Sequence, residues 1–190
     1  MPDQQKSPEQ TGLSRRSLVR TAAHAAWAVP AVQVAASVPA YAAASDQLTI
    51  TSATGEWTPA NNRRMDGSIT VRNDSPDDTT VNLQVTLTFP NIYVWDANAG
   101  GGAGANRTLA ITQVTGGWTA GTVTYSGTGT GRTATVVFTA TAQIAPTATR
   151  TLGFRAQSSG TQANGSPAAI NVTASSTGFV SGSGTLVPAP

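Results

Sequence analysis

The chain has 190 residues, of which 39% are hydrophobic and 11% charged, and a net charge of +2. That length allows one ordinary domain plus an extra segment. The basic excess belongs to residues 1–44, where Lys6, Arg15, Arg16 and Arg20 face Asp3 and Glu9; from residue 45 onward seven arginines face seven acids, with no Lys, His or Cys. A neutral domain offers nucleic acid no electrostatic attraction, and the missing side chains exclude Ser-His-Asp, Cys-His and Ser-Lys catalysis as well as the usual zinc, haem and iron–sulfur ligands.

Residues 1–12 are polar, with no apolar period. Ser14-Arg15-Arg16-Ser17-Leu18-Val19 follows, then an Ala-rich, mildly apolar run to about Val38, then Pro39-Ala40-Tyr41-Ala42-Ala43-Ala44. A charged start, an apolar middle and small residues at the exit are the three parts of an export signal. The motif at Ser14, Arg15, Arg16, Leu18 and Val19 resembles the twin-arginine signal, an address read by a receptor. The leader is similar to those of exported actinobacterial proteins. The resemblance implies a twin-arginine translocase and a signal peptidase as partners, and a secreted or cell-envelope location. Ala40 and Ala42 place cleavage after Ala42, before Ala43, with Ala44 as the alternative site. The apolar run is shorter than the ~20 residues of a membrane span and contains His24, Pro30 and Gln33, so no membrane association is expected after cleavage. Proteins with such signals cross the membrane folded, and a domain without Cys can fold in a reducing cytosol. The expected organisation is a signal segment at 1–44 and one domain at 45–190.

Strands dominate the remainder. Residues 47–52 alternate and predict a first strand; residues 55–66, with Trp57, Pro59 and Asn61-Asn62, read as irregular. Residues 67–73 predict a second strand with Ile69 and Val71 inward. Asp74-Ser75-Pro76-Asp77-Asp78 is a turn, since these residues cap their own backbone or fix φ.

The clearest element is 80–89. Val81, Leu83, Val85, Leu87 and Phe89 alternate with Thr80, Asn82, Gln84, Thr86 and Thr88. That period belongs to a strand with one buried and one wet face, and it needs a covering sheet. Pro90 ends it. Ile92 to Trp95 reads as a short strand or edge, with Trp95 closing the core, and residues 98–104 as a Gly-rich loop.

Further strands are predicted at 108–114, with Leu109 and Ile111, and in a hairpin of 118–125 against 132–142. There Val123, Tyr125, Ala134, Val136, Phe138 and Ala140 turn inward around the Gly-rich 126–131 connection. Ala145-Pro146 is a turn. Residues 150–156 carry Leu152 and Phe154 on one face, 158–167 form a polar loop, and 168–174 and 179–187 end the series. Eight to ten short strands, a Thr content near a fifth (roughly) of the domain and no helical period predict an all-β, antiparallel, immunoglobulin-like β-sandwich. About 145 residues can bury a sufficient core without staples.

Little chemistry remains. The acids are scattered, mostly in turns, so a carboxylate-only glycosidase is the single enzymatic alternative to a non-enzyme. Asn73 to Asp78 concentrates oxygen atoms of the calcium-binding kind but lacks the spacing of a calcium loop, so no metal or other cofactor is expected. The 127–131 glycines join two strands rather than opening a helix, which makes them a hairpin loop rather than a phosphate cradle. Trp57, Trp95 and Trp118 lie at or beside loops, where a ring either anchors a sandwich core or stacks on a sugar.

The order Ile69-Thr70-Val71-Arg72-Asn73, Leu87-Thr88-Phe89-Pro90, Trp95, Ile144-Ala145-Pro146, Gly153-Phe154, Ser159-Gly160 resembles family-two cellulose-binding modules. Those are β-sandwiches whose exposed tryptophans bind polysaccharide. The resemblance puts Trp57 and Trp95 at the positions of binding tryptophans, with Trp118 fitting less well. This chain departs from the family by lacking the terminal Cys pair and the core Trp of the long strand, where it has Asn82-Leu83. The same pattern is similar to immunoglobulin-like domains of bacterial surface proteins, which implies no sugar binding. Two functions are therefore expected: an exported, non-catalytic binding or structural domain, with a cell-wall or polysaccharide ligand, and, as the alternative, a stand-alone carbohydrate-binding module using Trp57, Trp95 and Trp118.

Overall fold

Alternation of burial decides which strands pair and which face they turn inward. The computed structural model describes residues 46–57, 64–96, 104–159 and 168–189. The export motif and the processing residues Ala40, Ala42 and Ala43 lie outside them. Twelve strands are present among the described residues: β1 (Leu48–Trp57), β2 (Arg64–Asn73), β3 (Gln84–Phe89), β4 (Trp95–Asp96), β5 (Ala105–Asn106), β6 (Leu109–Thr115), β7 (Trp118–Ala120), β8 (Thr124–Ser126), β9 (Thr133–Ala140), β10 (Thr149–Ser158), β11 (Ile170–Ser175) and β12 (Gly182–Leu186).

They form two antiparallel layers. One sheet has the order β1-β2-β10-β6; the other has β12-β11-β3-β9-β7, with β8 also on β9; β4 and β5 make a separate two-stranded ribbon. The fold is the antiparallel β-sandwich that the alternation predicts. Met65, Ile69, Val71, Leu152, Phe154 and Ala156 of the first sheet meet Val85, Leu87, Phe89, Ala134, Val136, Phe138, Ile170 and Val172 of the second, all buried. Phe138 and Phe154 stack across the layers at 5.6 Å between ring centroids.

The long alternating stretch is a strand only from Gln84. Leu83, Val85, Leu87 and Phe89 are buried, but Val81 is 43% exposed and Thr80 is buried. Two features reverse the pattern there. Asn82 has a positive φ of 52°, which breaks the extended backbone. Thr80 is held by Ile144: its Oγ1 accepts the Ile144 N–H at 2.8 Å, and its own N–H donates to the Ile144 carbonyl at 3.1 Å. The hydroxyl is inside because it has a partner there.

Residues 55–66 are also more regular than expected. Gly55↔Gly67, Glu56↔Asp66 and Trp57↔Met65 are in register; residues 58–63 lie outside the described residues. The predicted 118–125 strand is instead two pieces, β7 and β8, both on β9. In the gap the Gly121 N–H still reaches the Val137 carbonyl at 2.8 Å. Tyr125 does not turn into the core; it is 37% exposed, because its hydroxyl accepts the Leu109 N–H at 2.7 Å and stays within reach of the Leu109 carbonyl. Arg132 covers the ring face at 4.4 Å.

Both edges of the sandwich are thereby closed. On one side the residues flanking the last strand run parallel to the first, with the Leu48 N–H on the Val180 carbonyl at 3.0 Å and the Ala189 N–H on the Gly55 carbonyl at 2.8 Å. A Cβ on Gly182 would stand 2.4 Å from the Leu48 carbonyl oxygen, so glycine permits that approach. On the other side Tyr125 and Trp118 bridge to β6 and β10.

Candidate binding surfaces

The three predicted tryptophans do not form one surface. Trp118 is 5% exposed and its indole N–H donates to the Thr151 carbonyl at 3.2 Å. It ties β7 to β10 as a core anchor, so its ring is not available to a sugar. Trp95 is half-buried. Its ring lies over Gly104, where a Cβ would sit 2.2 Å from Cζ2 and where φ is +74°. The core below it is closed by Tyr93 and Val94, both buried, rather than by Trp95 itself. Tyr93 stacks edge-on against Phe89 at 5.8 Å and donates its hydroxyl to the Ala168 carbonyl at 2.8 Å. Trp95 thus sits at an end of the sandwich, where β10 finishes and β11 begins. Trp57 ends β1 in register with Met65; its side chain lies outside the described residues.

The oxygen-rich turn after β2 is structural. Asn73 is buried, and its Nδ2 lies within 2.7–3.2 Å of the carbonyls of Asp78, Ile144 and Ala145. Its Oδ1 accepts the Ser75 N–H at 2.9 Å, and Ser75 Oγ accepts the Asp78 N–H at 2.9 Å. Asp74 pairs with Arg72 at 2.7 Å and takes the Thr49 hydroxyl. Asp77 and Asp78 point to solvent. The neighbouring Asp46 charge, with some desolvation and a hydrogen bond to Asp46, pushes the Asp78 carboxyl up. Among the described residues no three His, Cys, Asp or Glu side chains are placed to hold a metal ion.

Other acids are held by arginine. Arg155 Nε donates to Asp66 Oδ1 at 2.6 Å and Arg64 Nη2 to Asp66 Oδ2 at 3.1 Å. The Arg155 hydrogen bond, aided by Arg64 and opposed by desolvation, holds the Asp66 carboxyl below the usual range. Asp96 pairs with the buried Arg107 at 2.5 Å. A glycosidase needs a general acid with a raised pKa; Asp66 is moved the other way, and Asp78, which is moved up by Asp46, is exposed in the turn after β2. A depression of about 540 Å³ lies between Gly116 and the 142–151 segment. Its charged lining residue, Arg150, donates to the carbonyls of Gly116 and Ala142, so it fastens two turns together. The Arg155–Asp66 pair and the Arg150–Gly116 clamp join residues far apart in sequence, so they are visible only when strands meet.

No family model matches the chain, and no curated protein matches it. Among solved structures it is similar to a protein described as the unique CBM3 of Hungateiclostridium clariflavum, with 11% identity and a TM-score of 0.43 over 76% of this chain and 99% of that one. It is also similar to part of a GH20 exo-β-N-acetylglucosaminidase from Vibrio harveyi, with 11% identity and a TM-score of 0.31 over 76% of this chain and 17% of that one. Likenesses so distant do not bear on what this chain binds.

Proposed function

We propose that this chain is exported by the twin-arginine route and acts as a non-catalytic binding or structural β-sandwich, secreted or held at the cell envelope. The observation that carries the non-catalytic reading is how the carboxylates are used. Asp66, Asp74 and Asp96 each stand in an ion pair with arginine, in a domain whose sequence supplies no His, Lys or Cys as an alternative base or nucleophile. The leader supports export. Replacing Arg15 and Arg16 together by Lys tests that part: unprocessed precursor should remain in the cytoplasm, and unimpaired export would refute the twin-arginine route. Mature protein beginning at Ala43 or Ser45, read by N-terminal sequencing, supports cleavage.

The second reading, a carbohydrate-binding module, is favoured by one feature, the half-buried Trp95 whose ring is backed by Gly104. It loses Trp118, which is buried. Retention on insoluble cellulose or chitin, lost in Trp95→Ala without loss of stability, would support it; unchanged retention would remove Trp95 from the site.

A further inference from the structure

The outer face of the β1-β2-β10-β6 sheet carries its side chains in straight rows across the strands. Register places Glu56, Asp66, Arg155 and Gln113 in one row, and Thr54, Ser68, Gly153 and Thr115 in the next. The third row begins Ser52, Thr70, Thr151, with the two Thr hydroxyls 3.0 Å apart. The first row is long and polar. The second is short, and at Gly153 it has no side chain; the Thr115 hydroxyl leans over that gap, 2.3 Å from where a Cβ would be. A trough results between the rows, at right angles to the strands. It is seen as two depressions that share Asp66 and Gly67: one of about 360 Å³ on the β1 side, with Thr54, Glu56, Ser68 and Ala189, and one of about 190 Å³ on the β6 side, with Gln113, Thr115 and Arg155. Four strands at about 4.8 Å spacing give it a length of roughly 14 Å.

We propose that this trough binds a short run of a neutral, hydroxyl-rich glycan chain laid across the four strands. The proposal rests on reading the chain as a binding domain, and it uses none of the tryptophans. Three properties of the rows select that ligand. Donors and acceptors lie within a few ångströms of each other: two carboxylates, a guanidinium and an amide form the first row and hydroxyls the second, which suits a partner whose every hydroxyl both donates and accepts. The charges balance, with Glu56 and Asp66 against Arg64 and Arg155, so the face favours neither a polyanion nor a polycation. No large apolar side chain stands in the rows, so an apolar protein partner would leave these polar groups unsatisfied. The Asp66 carboxylate is already fixed by two guanidiniums, which removes the ordering cost of its hydrogen bonds.

The test uses the purified full chain with cellohexaose, xylohexaose and N-acetylchitohexaose in titration calorimetry. Ser68→Arg fills the middle of the trough; Thr173→Arg places the same group on the exposed face of the other sheet. The expected result is binding of at least one hexasaccharide, weakened at least about tenfold by Ser68→Arg and unchanged by Thr173→Arg. Gln113→Ala, a surface change at the rim, should weaken it about fivefold, the equivalent of one hydrogen bond, and serves if Ser68→Arg does not fold. Binding that is indifferent to both trough variants overturns the trough while leaving a binding domain in place, and its loss in Trp95→Ala would move the site to the tryptophan. No binding of any of the three overturns the trough; the tryptophan reading is decided separately, by retention on insoluble cellulose or chitin.

Discussion

The ring of Phe154 occupies the space that a Cβ on Gly67 would fill: that carbon would stand 2.3 Å from the ring's Cζ. The two residues are register partners on β10 and β2. The ring cannot simply swing away, because it is buried against Phe138. Gly67→Ala should therefore cost about 1–3 kcal/mol as overpacking. Phe154→Leu in the same chain should recover part of that loss. Denaturant melts of the two single variants and the double variant check it; additive losses would show that no close approach exists.

Leu87 and Val81 share a face by sequence alternation but not in the fold. Leu87→Ala should cost about 2–5 kcal/mol as a core truncation, while Thr86→Ala and Val81→Ala should each cost less than about 1 kcal/mol. A Val81→Ala loss as large as that of Leu87→Ala would mean that the strand continues through Asn82.

Trp118 anchors β7 to β10. Trp118→Ala should cost about 3–5 kcal/mol. Trp118→Phe keeps most of the packing and loses the bond to Thr151, about 1 kcal/mol. Thermal melts separate the two. A Trp118→Ala variant of unchanged melting temperature would return this ring to the list of exposed platforms.

Asp66 and Asp78 should respond to acid with opposite signs. The folded-state pKa of Asp66 is lowered, chiefly by the Arg155 hydrogen bond. Its contribution is present above the ordinary carboxylate pKa and is lost as pH falls through the lowered value. Asp66→Asn should lower the melting temperature at pH 7 and have a much smaller effect near pH 2–3, roughly below the carboxylate range. The Asp78 pKa is raised, chiefly by Asp46. Ionised Asp78 therefore opposes folding at neutral pH, and the opposition fades as pH falls through its raised pKa. Asp78→Asn should raise the melting temperature at pH 7 and leave it nearly unchanged in acid. Melts of both variants at the two pH values decide; a same-signed effect at pH 7 would refute the assignment.

By itself the sequence determined the fold class. Alternation in 83–89 and 67–73 can bury one face only in a strand, and a strand with one apolar face needs a covering sheet. It also determined which catalytic side chains the domain lacks, since composition alone decides that. Tertiary structure decided the rest, because it depends on residues far apart in the chain. Thr80 goes inside because Ile144 offers it a donor and an acceptor. Tyr125 stays at the edge because Leu109 of the other sheet holds its hydroxyl. Trp118 and Trp95 look alike in sequence, each beside a loop, yet one finds the Thr151 carbonyl and the other rests on Gly104. The rows of the outer sheet face were equally hidden: Glu56, Asp66, Gln113 and Arg155 come from four strands, and only the register of those strands brings them into line.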